Sequence, residues 1–347
     1  MLPEDGKIAY SSRPIRIISL LKFIASETRR VLFWWNSGFQ YIHTLHRRQS
    51  YHAPTTEMTA SPSSHDPKID AQLERSLLGI EIPPCPEILI RIMAEMHKEE
   101  PDYHRLTDLI SADVALSAGL IKTTNSPFFA RSQRARSVHD ALTILGLRFA
   151  SHTIAGIILR NLFPNTPNMV RFWDASARTA RLCAWLAYKL DIPGFHADDA
   201  YTFGLFHDCG IPVLMVRFPQ YKEVLGYANR NTQTEFTLIE ESLIQTNHAV
   251  VGSALTRSWW LPEDMCQAIR HHHDLTALAP NSPLPKAHRQ FIATTQFAEH
   301  FSQQQLGLDF TEEWPKFCAA SLETLQIDEE DLEFLYNEAK QIVSAAE

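Results

Sequence analysis

The chain has 347 residues, 45% hydrophobic and 21% charged, with a formal net charge of −8. Such a length and balance exclude a disordered or fibrous chain and leave room for about two domains with a sizeable core. The negative charge argues against general affinity for nucleic acid, which depends on Lys and Arg neutralising phosphates; residues 1–50 nevertheless carry net +5, leaving −13 for the rest.

Taken in order, residues 14–45 place Ile17, Leu21, Ile24, Val31, Trp35 and Ile42 on one helical face, with basic residues and extra aromatics around it. This basic amphipathic extension, residues 1–48, is expected either to pack on its own domain or on a second copy, or to make peripheral contact with anionic lipid. Charged residues interrupt it before about 18 apolar residues run together, and no signal-peptide pattern is present. Five cysteines without a CxxC pair suit a reducing compartment, so the expected location is the cytoplasm, with any membrane association made through this helix. Residues 49–72, rich in Ser, Thr, Pro and Ala, read as a linker.

From residue 73 onward the periodicity is helical and no alternating strand pattern is found, which predicts an all-α fold. Pro83, Pro84 and Pro86 open a helix bearing Ile88, Ile92 and Met96. Helices follow over Tyr103–Ile110 and over Asp113–Thr124, the latter ended by Asn125-Ser126-Pro127. Ser137 is a candidate N-cap with Asp140 three residues on and Gly146 at the end, and Ala150–Leu162 forms another helix. A second group spans Val170–Leu190, Ala197–Leu205, Phe218–Arg230, Glu235–Trp259 and Glu263–His272, with further helices over Arg289–His300 and Asp328–Val343. Asp328 is a candidate N-cap there, followed by Glu329, Glu330 and Asp331 at the positive end of the helix dipole.

The chemistry concentrates in Tyr201–Leu214, which reads as an apolar helix interrupted by His207-Asp208 and stopped by Cys209-Gly210-Ile211-Pro212. A carboxylate and an imidazole among Phe203, Leu205, Phe206 and Leu214 need partners, either a divalent metal or hydrogen bonds that make them a fixed piece of core. Elsewhere His248, the run His271-His272-His273-Asp274, and Glu299 supply further donors. Separate helices that each contribute one inward imidazole or carboxylate are how helical proteins build a metal site. The Trp259-Trp260 pair reads as core or as a partner-binding surface.

Seven stretches occur in order along the chain: IPPCPEIL (82–89), DLISADVALSAGLIKTTNSPFF (108–129), SVHDALTILG (137–146), FWDASARTA (172–180), DDAYTFGLFHDCGIPVL (198–214), NHAVVGSALTRSWWLP (247–262) and AIRHHHD (268–274). On these, from about Leu77 to Ala279, the chain resembles an HDOD domain, a bacterial signalling module related to the HD superfamily of metal-dependent phosphohydrolases. The resemblance implies an N-terminal helical bundle over 73–165 and an HD-like bundle over 166–279, with residues 280–347 adding C-terminal helices that pack on the HD-like bundle. It also implies that His207, Asp208, His248, His272, His273 and Glu299 are metal ligands, for Mn, Mg, Zn or Fe. Two departures weaken catalysis: Ala175 stands where related hydrolases place a first histidine, and Glu299 replaces a late aspartate. The Gly-Tyr-Pro signature of cyclic di-GMP phosphodiesterases is absent after His273. The expected role is therefore a noncatalytic signal-transduction output module that binds a signalling protein partner, with Trp259 and Trp260 as candidate contacts. The alternative is a metal-dependent phosphohydrolase acting on a nucleotide or cyclic nucleotide.

Overall fold

The computed structural model describes residues 77, 79–126, 134–307 and 312–344, with side chains to residue 340; the expected amphipathic extension and linker lie outside them. Every regular element among the described residues is helical.

A first bundle is built from α1 (Glu87–Met96), α2 (Tyr103–Ser111), α3 (Val114–Thr124), α4 (Val138–Leu145) and α5 (Leu147–Leu162). Their boundaries follow local capping. Asp102, Asp113 and Ser137 accept hydrogen bonds from backbone N–H groups in the first turns of α2, α3 and α4, and Gly146 ends α4 at φ 72°. Leu89, Ile92, Leu106, Ile110, Leu116, Leu120, Leu142 and Ile154 form its interior.

The second bundle comprises α6 (Pro167–Leu190), α7 (Ala197–Phe206), α8 (Gly210–Arg217), α9 (Tyr221–Asn229), α10 (Phe236–Ile244), α11 (His248–Ser258), α12 (Glu263–Arg270), a 3₁₀ turn (Leu275–Leu278), α13 (Lys286–Gln305), α14 (Glu313–Leu325) and α15 (Glu329–Ser344). Helix α13 is its axle, packing against α6, α7, α12, α14 and α15. The two bundles meet where α5 lies on α7: Phe149 sets its ring edge-on to Tyr201, His152 bonds Thr202, and Arg148 pairs with Asp199 at 2.6 Å.

Three elements differ from the expectations. Cys209-Gly210-Ile211-Pro212 does not stop a helix but starts α8, because proline in a first turn forfeits only an N–H that has no helical partner. The stretch Glu235–Trp259 is two helices, broken where Gln245 turns left-handed at φ 62° and Asn247 caps α11 through the Val250 N–H. Helix α14 was not foreseen. Trp259 is also corrected as a contact residue: its ring is 1% exposed and its Nε1 donates to the Pro83 carbonyl at 3.0 Å. Trp260 is 57% exposed at φ 59°.

Candidate metal centre

The junctions between helices place the donors. His207 and Asp208 occupy the turn between α7 and α8, His248 is the first residue of α11, His272 and His273 follow α12, and Glu299 projects from α13. Close helix crossing fixes the turn: a Cβ on Gly210 would lie 2.1 Å from the His248 carbonyl oxygen, so only glycine lets α8 and α11 come this near.

Asp208 divides its two oxygens between two groups of donors. Its Oδ1 lies 3.3 Å from Nε2 of His248 and 3.3 Å from Nε2 of His272, while its Oδ2 lies 3.4 Å from Nε2 of His207. His207 Nε2 also faces Glu299 Oε1 at 3.0 Å. Donor atoms of Asp208, His248, His272 and His273 form one group within 4.8 Å of one another, and those of His207, Asp208 and Glu299 form another. The sequence-predicted ligands thus come together, whereas His271 turns outward to Asp274 at 3.5 Å.

The far side of each ring is held. Nδ1 of His207 donates to the Gly204 carbonyl at 3.0 Å and Nδ1 of His272 to the Ile269 carbonyl at 2.6 Å. Because a carbonyl only accepts, each Nδ1 must carry hydrogen, which directs Nε2 toward the centre. Nδ1 of His248 bonds Glu240 Oε2 at 2.7 Å, and Glu240 is itself fully buried and bound by the Tyr221 hydroxyl. Nδ1 of His273 bonds Glu313 Oε2 at 2.9 Å while its ring stacks on Phe236, and Lys316 closes the pair from Glu313 Oε1 at 2.7 Å. Carboxylate or carbonyl anchors behind ring nitrogens are the support that metal-binding histidines use, so these residues fit a divalent ion.

Electrostatics agree with that reading. Burial opposes charge on His207, yet Asp208 and Glu299 outweigh it and lift its pKa to about 9. Burial likewise opposes charge on His248, and Glu240 and Asp208 raise it to about 10. His272, desolvated and beside His273, falls to about 3 and stays neutral. Burial raises the Asp208 carboxyl, but the facing imidazoles carry it well below the ordinary range. His248 Nε2 lies 3.2 Å from His272 Nε2 and 3.3 Å from Asp208 Oδ1, so without metal the proton on His248 Nε2 has two acceptors among the groups that would hold a cation.

A cavity of about 460 Å³ opens over the centre, lined by Asp208, His248, His273, Glu299 and Glu313 on one side and by Arg171, Asp174, Ala175 and Arg178 of α6 on the other. Ala175 therefore presents a methyl group to this cavity. Sequence reasoning missed Glu240, Tyr221 and Glu313. Their signal is faint, since a glutamate eight residues before a histidine means nothing until the Gln245 break folds α10 back along α11.

The HDOD domain family model matches residues 82–275, more than half of the chain. The chain belongs to the HDOD domain family. An uncharacterized protein of Treponema pallidum (strain Nichols) is 26% identical over 219 residues, a match taking in 63% of this HDOD chain and 41% of that protein, so this chain spans less than half of that relative's length. An HDOD domain protein of unknown function from Geobacter sulfurreducens has a similar structure, with a TM-score of 0.57 at 23% identity over 80% of this chain and 98% of the other. A protein of Shewanella amazonensis SB2B provisionally named a metal-dependent phosphohydrolase has a TM-score of 0.57 at 20% identity, over 81% of this chain and 97% of its own. These structural likenesses establish the fold. Glu299 and Glu313 both lie beyond the matched HDOD segment, so helices outside it help build the centre. Among the described residues no helix is long and apolar enough to cross a membrane.

Proposed function

We propose that this HDOD chain is a signal-transduction output module whose HD-like bundle holds divalent metal between His207, Asp208, His248, His272, His273 and Glu299. The observation that carries this reading is the common aim of three anchored imidazoles at the two oxygens of Asp208. The role is noncatalytic, with metal and ligand occupancy setting the conformation offered to a signalling protein partner. Ala175 supports this, because a methyl group stands on the cavity wall where an imidazole would complete the hydrolase pattern.

A second reading, phosphohydrolysis of a nucleotide, is favoured by the open cavity over the centre. A divalent ion there would supply Lewis acidity toward a phosphate oxygen and ease ionisation of water. His207 and His248 would then surrender their protons to solvent on loading, and Glu240 would hold the His248 ring in place.

Elemental analysis of untagged chain beside His207→Ala and His272→Ala, followed by a nucleotide hydrolysis panel with manganese, separates the readings. Near-stoichiometric metal, lost in both variants, with no turnover is the expected result. Metal-dependent turnover abolished by His207→Ala establishes the hydrolase instead, and a metal-free wild type treated with manganese and still empty defeats both.

A further inference from the structure

Helix α6 lines the cavity with Arg171, Asp174, Ala175, Arg178 and Thr179, the spacing of one continuous helix face. Ala175 stands one turn from each arginine, so its small side chain leaves the wall between them open. Among the described residues neither guanidinium pairs with a carboxylate: Arg171 donates to Asn168 Oδ1 at 2.5 Å and Arg178 Nε to Ser302 Oγ at 3.3 Å. Each guanidinium carries five N–H donors, which leaves most of them for a ligand. Across the cavity stand Asp208, His248 and Glu299, and Ile211, Leu225 and Leu306 give it an apolar side.

We infer that Arg171 and Arg178 form an anion seat for the phosphate of a small phosphorylated organic molecule, held between α6 and the metal centre. This rests on the metal reading above. An anion shared by two guanidiniums and a metal needs at least three acceptor oxygens pointing in different directions. Phosphate has them, while a carboxylate offers two oxygens in one plane. A cavity of about 460 Å³ lies in the range of small-molecule sites, and its apolar side suits the organic part of the ligand. The charge balance adds a condition. Asp174, Asp208, Glu299 and Glu313 offset the two arginines and the protonated His207 and His248 of the metal-free chain. Loading would therefore add no net charge but would add a Lewis-acidic partner for an anion oxygen, and the loaded cavity is the one that accepts the anion. The arginines flank the place of the missing imidazole and bind the ligand directly.

The test is calorimetric titration of inorganic phosphate, and of acetate, into the full chain with and without manganese, beside Arg171→Gln and Arg178→Gln, with manganese content measured throughout. Phosphate is expected to bind the manganese-loaded chain in preference to acetate, and each substitution to weaken it about tenfold without changing manganese content. Manganese bound with phosphate affinity unchanged in Arg171→Gln, or acetate bound as tightly as phosphate, overturns the seat and leaves the metal reading standing. A chain that holds no manganese defeats the metal reading and the seat together. Arg171 is exposed, so its variant keeps the fold and decides the matter even if loss of the Ser302 contact unfolds Arg178→Gln.

Discussion

Glu240 shows how much of the candidate metal centre is shaped by residues outside its donor set. It has no solvent exposure and holds Nδ1 of His248 at 2.7 Å, while the Tyr221 hydroxyl binds its other oxygen. Glu240→Gln keeps the shape but removes the charge that makes His248 basic, and should lower metal affinity by about 10–100-fold. Competition with a fluorescent chelator measures this, and an unchanged affinity would show that His248 needs no anchor. The donors themselves were legible, since His207-Asp208 and the His272-His273 run stand out in an apolar context. Glu240, Tyr221 and Glu313 were not, because a glutamate on a helix is ordinary until its neighbours in space are known. Trp259 stood between core and contact for the same reason: an aromatic beside a turn reads alike whether it fills a core or meets a partner, and its burial decides for the core.

Helix junctions, more than helices, decide the geometry. The periodicity of α6, α7 and α13 was plain in the sequence, but the break at Gln245–Asn247 and the helical start at Gly210 depend on backbone conformation and on which helices cross. Gly210 is the sharpest case, with the His248 carbonyl where its Cβ would lie. Gly210→Ala must push α11 away from α8, at a cost of about 1–3 kcal/mol, and should carry His248 out of reach of Asp208. Urea denaturation together with metal content checks both parts, and a variant that is destabilised yet binds metal normally would separate the crossing from the site. Gly204 plays a similar part on the opposite side of α7, where a Cβ would meet Cys183 Sγ at 2.8 Å and the Ala180 backbone at 2.9 Å.

For the molecule as a whole, the buried histidines predict how stability follows pH. In the metal-free chain His207 and His248 have pKa values of about 9 and about 10, above the ordinary 6.5. Their contribution is complete below pH 6.5 and is lost as pH rises through 9 and 10. His152 and His300 are driven down to about 4 by burial, so they cost stability as pH falls from 6.5 toward 4. The Tm of metal-free protein should therefore peak near pH 6.5 and decline on both sides. Bound metal, by taking the place of the protons on His207 and His248, should remove the alkaline decline and raise Tm with metal concentration. Calorimetric scans from pH 5 to 10 with and without manganese test this; a metal-free Tm that is flat between pH 7 and 10 would contradict the protonated pair.

The position of α13 has a consequence for how the chain is made. Helices α1 to α5 pack chiefly on one another and have their partners as soon as they leave the ribosome, whereas α6 and α7 must wait about a hundred residues of synthesis for the axle that covers them. Through that interval α6 and α7 have chiefly each other for cover, while the faces they later turn to α13 stay open, and pairings so distant along the chain close slowly. The first bundle is thus positioned to fold ahead of the second and, through the α5–α7 contact, to give the nascent HD-like half a surface to rest on until Phe291 and Phe297 arrive.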